Sequence, residues 1–140
     1  LGMVRILVPM DGSPQAMKAL EYADDTFPDA EVVLLHVIDP IDAGYSAESV
    51  LPSYSEGWYE SKKKSAENHF ENATEVLGRD VETAIEVGRP SRIIVEFLEE
   101  RNIDHVVMGS HGRSGVARVL LGSVAETVAR RSPVPVTVVR

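Results

Sequence analysis

Five short apolar runs alternate with four stretches of helical spacing along this chain, and that alternation leaves few folds open to it. The run "VRILVP" at 4–9 is not cleanly alternating, as expected of a strand covered on both faces. "DGSPQAMKALEYADDTF" follows, with Ser13 placed to cap a helix, Pro14 at its first position, and Ala16, Leu20, Ala23 and Phe27 at helical spacing. "AEVVLLHVID" at 30–39 is a second buried strand. From Trp58 a helix carries Ala66, Phe70, Ala73 and Leu77 on one stripe and stops at Gly78, while Lys62, Lys63 and Lys64 belong to its solvated surface. "VETAIEVG" at 81–88 reads as a less buried edge strand. Pro90 opens a helix to about Arg101 with Ile94, Phe97 and Leu98 inward and Ile93 beside them. "DHVVMG" at 104–109 is the fourth strand. "SVAETVARR" is the last helix, with a Ser123–Glu126 capping box and a basic C-terminus, and "VPVTVVR" the last strand. Such alternation predicts an α/β fold, an open parallel five-stranded sheet with helices on both faces, as one domain over residues 3–140. Pattern alone does not order the strands.

Composition narrows the function. The 140 residues are 44% hydrophobic and carry a formal net charge of -8, which argues against broad attraction to nucleic acid or anionic membrane. Cysteine is absent, so disulfides, thiolate metal sites and thiol catalysis are excluded. No apolar run approaches a membrane span, and the N-terminal stretch lacks the layout of a signal peptide; the expectation is a cytoplasmic protein. Leu1 and Gly2, ahead of Met3, are set aside. The segment 40–57, with Pro40, Gly44, Pro52 and Gly57 and no sustained period, is expected to be a loop or insertion.

Unusual residues gather where strands end. Asp11 and Gly12 follow the first strand, Gly109, Gly112 and Gly115 the fourth, and Gly122 and Ser123 open the last helix. In an open parallel sheet ligands bind outside the carboxyl ends of the strands, where helix N-termini offer unpaired N–H groups to anions. Glycines let the backbone approach closely, and the Ser123 hydroxyl is placed to meet a phosphate oxygen. Asp11 has two readings, acceptor of sugar hydroxyls or turn residue beside Gly12. Arg113 likewise stands either over the phosphates or in solvent. Neither a P-loop nor a G-x-G-x-x-G joining the first strand to its helix is present, which disfavours P-loop NTPases and dinucleotide-dependent dehydrogenases.

"ILVPMDGS", "LLHVID" and "MGSHGRSGVARVLLGSVAE" together resemble the universal stress protein family, across nearly the whole chain from Met3 to Arg140. The spacing Gly109-x2-Gly112-x9-Gly122-Ser123 is similar to the nucleotide-binding signature of its ATP-binding branch; another branch lacks these small residues. The resemblance implies strand order 3-2-1-4-5 and a homodimer through the edge strand at 134–139. It further implies an adenine nucleotide held by Asp11 at the nucleoside, Pro9 lining the pocket, the Val37 backbone at adenine with Met108 nearby, and Gly109, Gly112, Gly122, Ser123 and Val124 around ribose and phosphates. With so acidic a chain, the ligand is expected to be ATP with Mg or Mn bridging its phosphates.

Other residues carry less. His111 has no acid or nucleophile partner in the sequence, so no catalytic residue is assigned. His36 reads as a core histidine, and the four histidines lack zinc spacing. Tyr45, Tyr54, Trp58 and Tyr59 cluster around the insertion and have two readings, closure over a ligand or partner and, favoured, hydrophobic anchoring of a long loop. The leading function is nucleotide-dependent regulation in a stress response, with a slow ATPase or a nucleotide-independent dimeric interaction protein as alternatives. A response-regulator phosphoacceptor is disfavoured, since its acidic cluster and late lysine are missing.

Overall fold

Val, Ile and Leu fill the strand centres because both faces of a parallel sheet are covered, and the computed structural model, which describes residues 3–43, 56–111 and 121–140, bears this out. The strands are β1 (Arg5–Pro9), β2 (Glu31–Ile38), β3 (Glu82–Val87), β4 (His105–Gly109) and β5 (Val136–Val139). All neighbours pair in parallel, in the order β3-β2-β1-β4-β5 that the resemblance implied. Helices α1 (Pro14–Thr26), α2 (Glu56–Leu77), α3 (Pro90–Glu100) and α4 (Ser123–Arg131) connect them.

Strand side chains alternate between two cores. Ile6, Val8, Val32, Leu34 and Val107 face α1 and α2, while Leu7, Val33, Leu35, Val106 and Met108 face α3 and α4. The α1 face is built of alanines, Ala16, Ala19 and Ala23, around Leu20. That small stripe lets α1 lie close on the sheet: a Cβ on Gly109 would sit 2.8 Å from Gln15 Cβ and 2.9 Å from the Gln15 carbonyl carbon. On the other face Ile94, Phe97 and Leu98 are buried as expected, each worth about 1.5–3 kcal/mol of apolar transfer.

Several boundaries differ from expectation. The 40–57 loop begins with a short 3-10 helix, Pro40–Ala43, and α2 starts at Glu56, so Gly57 is helical; residues 44–55 lie outside the described part. β3 is the edge strand expected, and β5 is confined to 136–139. The capping box at α4 does not form. Gly122 takes the extended N-cap conformation and Ser123 becomes the first helical residue, while the Glu126 carboxylate pairs with Arg130 one turn on. By contrast Ser13 caps α1 as its sequence predicts, accepting from the Ala16 N–H at 3.1 Å.

Candidate functional site

The cleft follows from where strands stop. β1 leaves the sheet after Pro9, yet β2 continues to Ile38 and β4 to Gly109 on either side. Backbone groups of a strand alternate between its two neighbours. Leu35 O accepts from Met10 N on the β1 side, and Ile38 O accepts from Gly88 N on the β3 side. Val37 therefore turns its N–H and C=O towards the β1 side, where no strand lies beside it. On β4 the N–H groups of Val106 and Ser110 donate to β5-side carbonyls, so Gly109 faces the same opening from the other flank. This is the switch point of the sheet, since α1 lies on one face of it and α4 on the other.

A cleft of about 630 Å³ occupies that opening, within the usual range for small-molecule sites. Pro9, Asp11, Val37, Met108, Gly109, Gly122, Ser123 and Val124 all line it. Gly112 and Arg113 lie outside the described residues. Asp11 serves the turn and remains available: its Oδ1 accepts from the Ser13 N–H at 2.9 Å, whereas Oδ2 makes no hydrogen bond among the described residues. Gly122 N donates to Ser110 O at 2.7 Å, which ties the start of α4 to the end of β4. With no side-chain cap at Gly122, the first N–H groups of α4 and the exposed Ser123 hydroxyl border the cleft without a partner among the described residues. A Cβ on Gly122 would lie 3.2 Å from Ser110 O, so a larger residue there shifts this junction.

Sequence reasoning missed the opposite wall. Lys62, Ser65 and His69 of α2 line the cleft, so Lys62, expected on the solvated surface, is half-buried and borders the cleft instead. The available signal was their i, i+3, i+7 spacing, which sets them on one stripe beside the buried Ala66–Phe70–Ala73 stripe. His36 also lines the cleft; its Nδ1 donates to Met10 O at 2.7 Å, and its ring lies 5.8 Å from that of His69. The His69 ring sits directly over Gly12, whose φ of +80° and lack of a side chain admit both the turn and the ring; a Cβ there would be 2.3 Å from His69 Cε1. His111 is held through Nδ1 to Ser110 Oγ at 3.0 Å, and its buried Nε2 has no partner among the described residues. Among the described residues no group of three His, Asp or Glu could hold a metal, and no helix is long and apolar enough to cross a membrane.

Known proteins are similar to this chain in sequence and in fold. The chain is 34% identical to universal stress protein MJ0531 of Methanocaldococcus jannaschii, over 97% of this chain and 81% of that one. To universal stress protein MJ0577 of the same organism it is 36% identical over 97% and 94% of the two chains. The solved structure of MJ0577 superposes with a TM-score of 0.82 over 99% of this chain and 96% of the other. A universal stress protein family member from Arabidopsis thaliana with AMP bound has the same fold, with a TM-score of 0.67 at 20% identity, covering 97% and 90% of the chains. The universal stress protein family model matches residues 3–140, and the chain belongs to that family.

Proposed function

We propose that the chain binds ATP in the cleft between the ends of β1 and β4, and that occupancy by the nucleotide sets its state in a stress response. One observation carries this reading: the main-chain edges of Val37 and Gly109 and the N-terminus of α4, none of them paired there among the described residues, converge on a single cleft. Each suits one part of the ligand. The apolar side chains of Pro9, Val37 and Met108 with the Val37 main chain accept a flat heterocycle that needs both a donor and an acceptor. Asp11 Oδ2 accepts from ribose hydroxyls. The first N–H groups of α4 and Ser123 Oγ receive phosphate oxygens, with Gly109 and Gly122 keeping the approach clear, and Gly112 and Arg113 are assigned to the same phosphates.

The residues present fit a metal held by the nucleotide rather than by the protein, since the described residues offer no three-ligand cluster. Mg or Mn bridging the phosphates would neutralise charge that an acidic chain repels. Assembly as a homodimer through 134–139 is part of the same reading, supported by β5 lying at the open edge of the sheet with all four residues partly exposed.

The test is calorimetric titration of ATP, with and without Mg, into protein freed of small molecules, alongside mass spectrometry of whatever the freshly purified protein releases on denaturation. Saturable binding, or recovered adenine nucleotide, is expected. Neither in either buffer sinks the reading.

A further inference from the structure

Phosphate in this cleft meets a charge problem. Two carboxylates, Asp11 and Asp39, line it, and among the described lining residues Lys62 is the one lysine or arginine. Lys62 is partly buried, and no hydrogen bond or ion pair involves it among the described residues. Its place on the cleft wall, opposite the open start of α4, is one that an anionic ligand can use.

Its height in the cleft is set by the packing of α2. The His69 ring is seated over Gly12 at the end of β1, which anchors that turn of the helix beside the cleft floor. Because α2 joins the end of β2 to the start of parallel β3, it runs against the strands, and its N-terminal turns project beyond their carboxyl ends. Lys62 stands seven residues before His69, hence about 10 Å further out at 1.5 Å per residue. Strand register sets Val37 level with Asp11, beside Gly12, so Lys62 lies outward of the main chain at which a base would lie. Ser65, on the same stripe, adds a hydroxyl between the two levels.

We propose that Lys62 is the counter-charge for the ligand's phosphate groups at the cleft mouth, and that it makes the site prefer a phosphorylated over an unphosphorylated nucleoside. This rests on the nucleotide reading above and adds a residue of α2 to it. A flexible ammonium suits the task as a point charge that follows a mobile phosphate chain without fixing its geometry.

The experiment compares wild type, Lys62→Gln, Lys62→Glu and, as a control on the exposed far side of α2, Lys64→Gln, each titrated with adenosine, AMP and ATP at one ionic strength. Lys62→Gln is expected to raise Kd for AMP and ATP about tenfold, Lys62→Glu further, with adenosine binding and the Lys64→Gln variant close to wild type. If Lys62→Gln binds ATP as wild type does, or loses adenosine as much as ATP, Lys62 is not a phosphate contact while nucleotide binding stands. If wild type binds none of the three ligands, the nucleotide reading falls and takes this one with it.

Discussion

The two ends of the sheet are finished in opposite ways. At the amino end, polar groups close on one another: the Arg5 guanidinium lies 3.2 Å from Glu82 and 3.6 Å from Glu31, so β1 is tied to β3 and β2 at once. The Arg5 N–H donates to the Asp104 carboxylate at 2.9 Å, and His105 Nε2 shares a hydrogen bond of 2.8 Å with Thr137 Oγ1. The hydrogen bond to Glu82 is the main reason that Arg5 holds its proton more tightly than usual, although burial pulls the other way. At the carboxyl end β1 turns away early, a helix starts without a side-chain cap, and a lysine stands unpaired among the described residues. One fold thus pairs its polar groups with one another at the amino end, and at the carboxyl end leaves several without a partner among the described residues.

Substitutions should separate the two ends. The largest stability effect is expected from Gly109→Val, because its Cβ meets the α1 backbone at Gln15 rather than a side chain able to swing aside; a loss of about 3 kcal/mol should appear as a lower urea midpoint. A midpoint within error of wild type would mean that α1 is not seated as closely as described. Gly122→Val is next, and its effect is of another kind: about 1 kcal/mol in stability, with ATP affinity reduced at least tenfold as the α4 junction moves off Ser110. Undiminished ATP binding would remove the α4 N-terminus from the site. Arg5→Ala breaks the amino end alone. Half-exposed glutamates limit the cost to about 1 kcal/mol, and nucleotide affinity should not change.

The smallest effect is a pH dependence. Burial pushes the His105 imidazole below its ordinary 6.5, so the folded state favours the neutral ring. Its contribution is therefore complete above that ordinary value and is lost as pH falls from there towards the lower folded value. His105→Gln keeps a donor for Thr137 without titrating. Between about pH 7.5 and about pH 5.5 the wild type should lose more stability than this variant, and equal losses would show that His105 is not the sensor.

Much of this was legible before any coordinates. Strand runs survive in the sequence because burial on both faces admits little but Val, Ile and Leu, and helices survive through Pro14, Pro90 and the Ala66–Phe70–Ala73 stripe. The glycine side of the cleft was legible through the joint spacing of Gly109, Gly122 and Ser123 at strand and helix ends, since one glycine in a loop marks only a turn. Strand order was not readable from pattern and came from family resemblance. The α2 wall escaped because Lys, Ser and His at helical spacing have the same appearance on a solvated face as on a cleft, and only the seating of His69 over Gly12 tells them apart. At Ser123 the misreading was of a different sort: a capping-box pattern was present, but a glycine one residue earlier took the cap position.

Pairing of β1 with β4 has a consequence for how the chain is made. β1 finds β2 early in synthesis, but its second neighbour lies 99 positions on, where the Arg5 N–H meets Asp104. At ~5–20 residues per second a nascent chain waits for several seconds with one edge of Ile6-Leu7-Val8 uncovered, an invitation to pair with other chains. Through that interval the cleft does not exist, because Met108, Gly109 and the start of α4 have yet to be built. The edge is closed only once β4 has been made and paired.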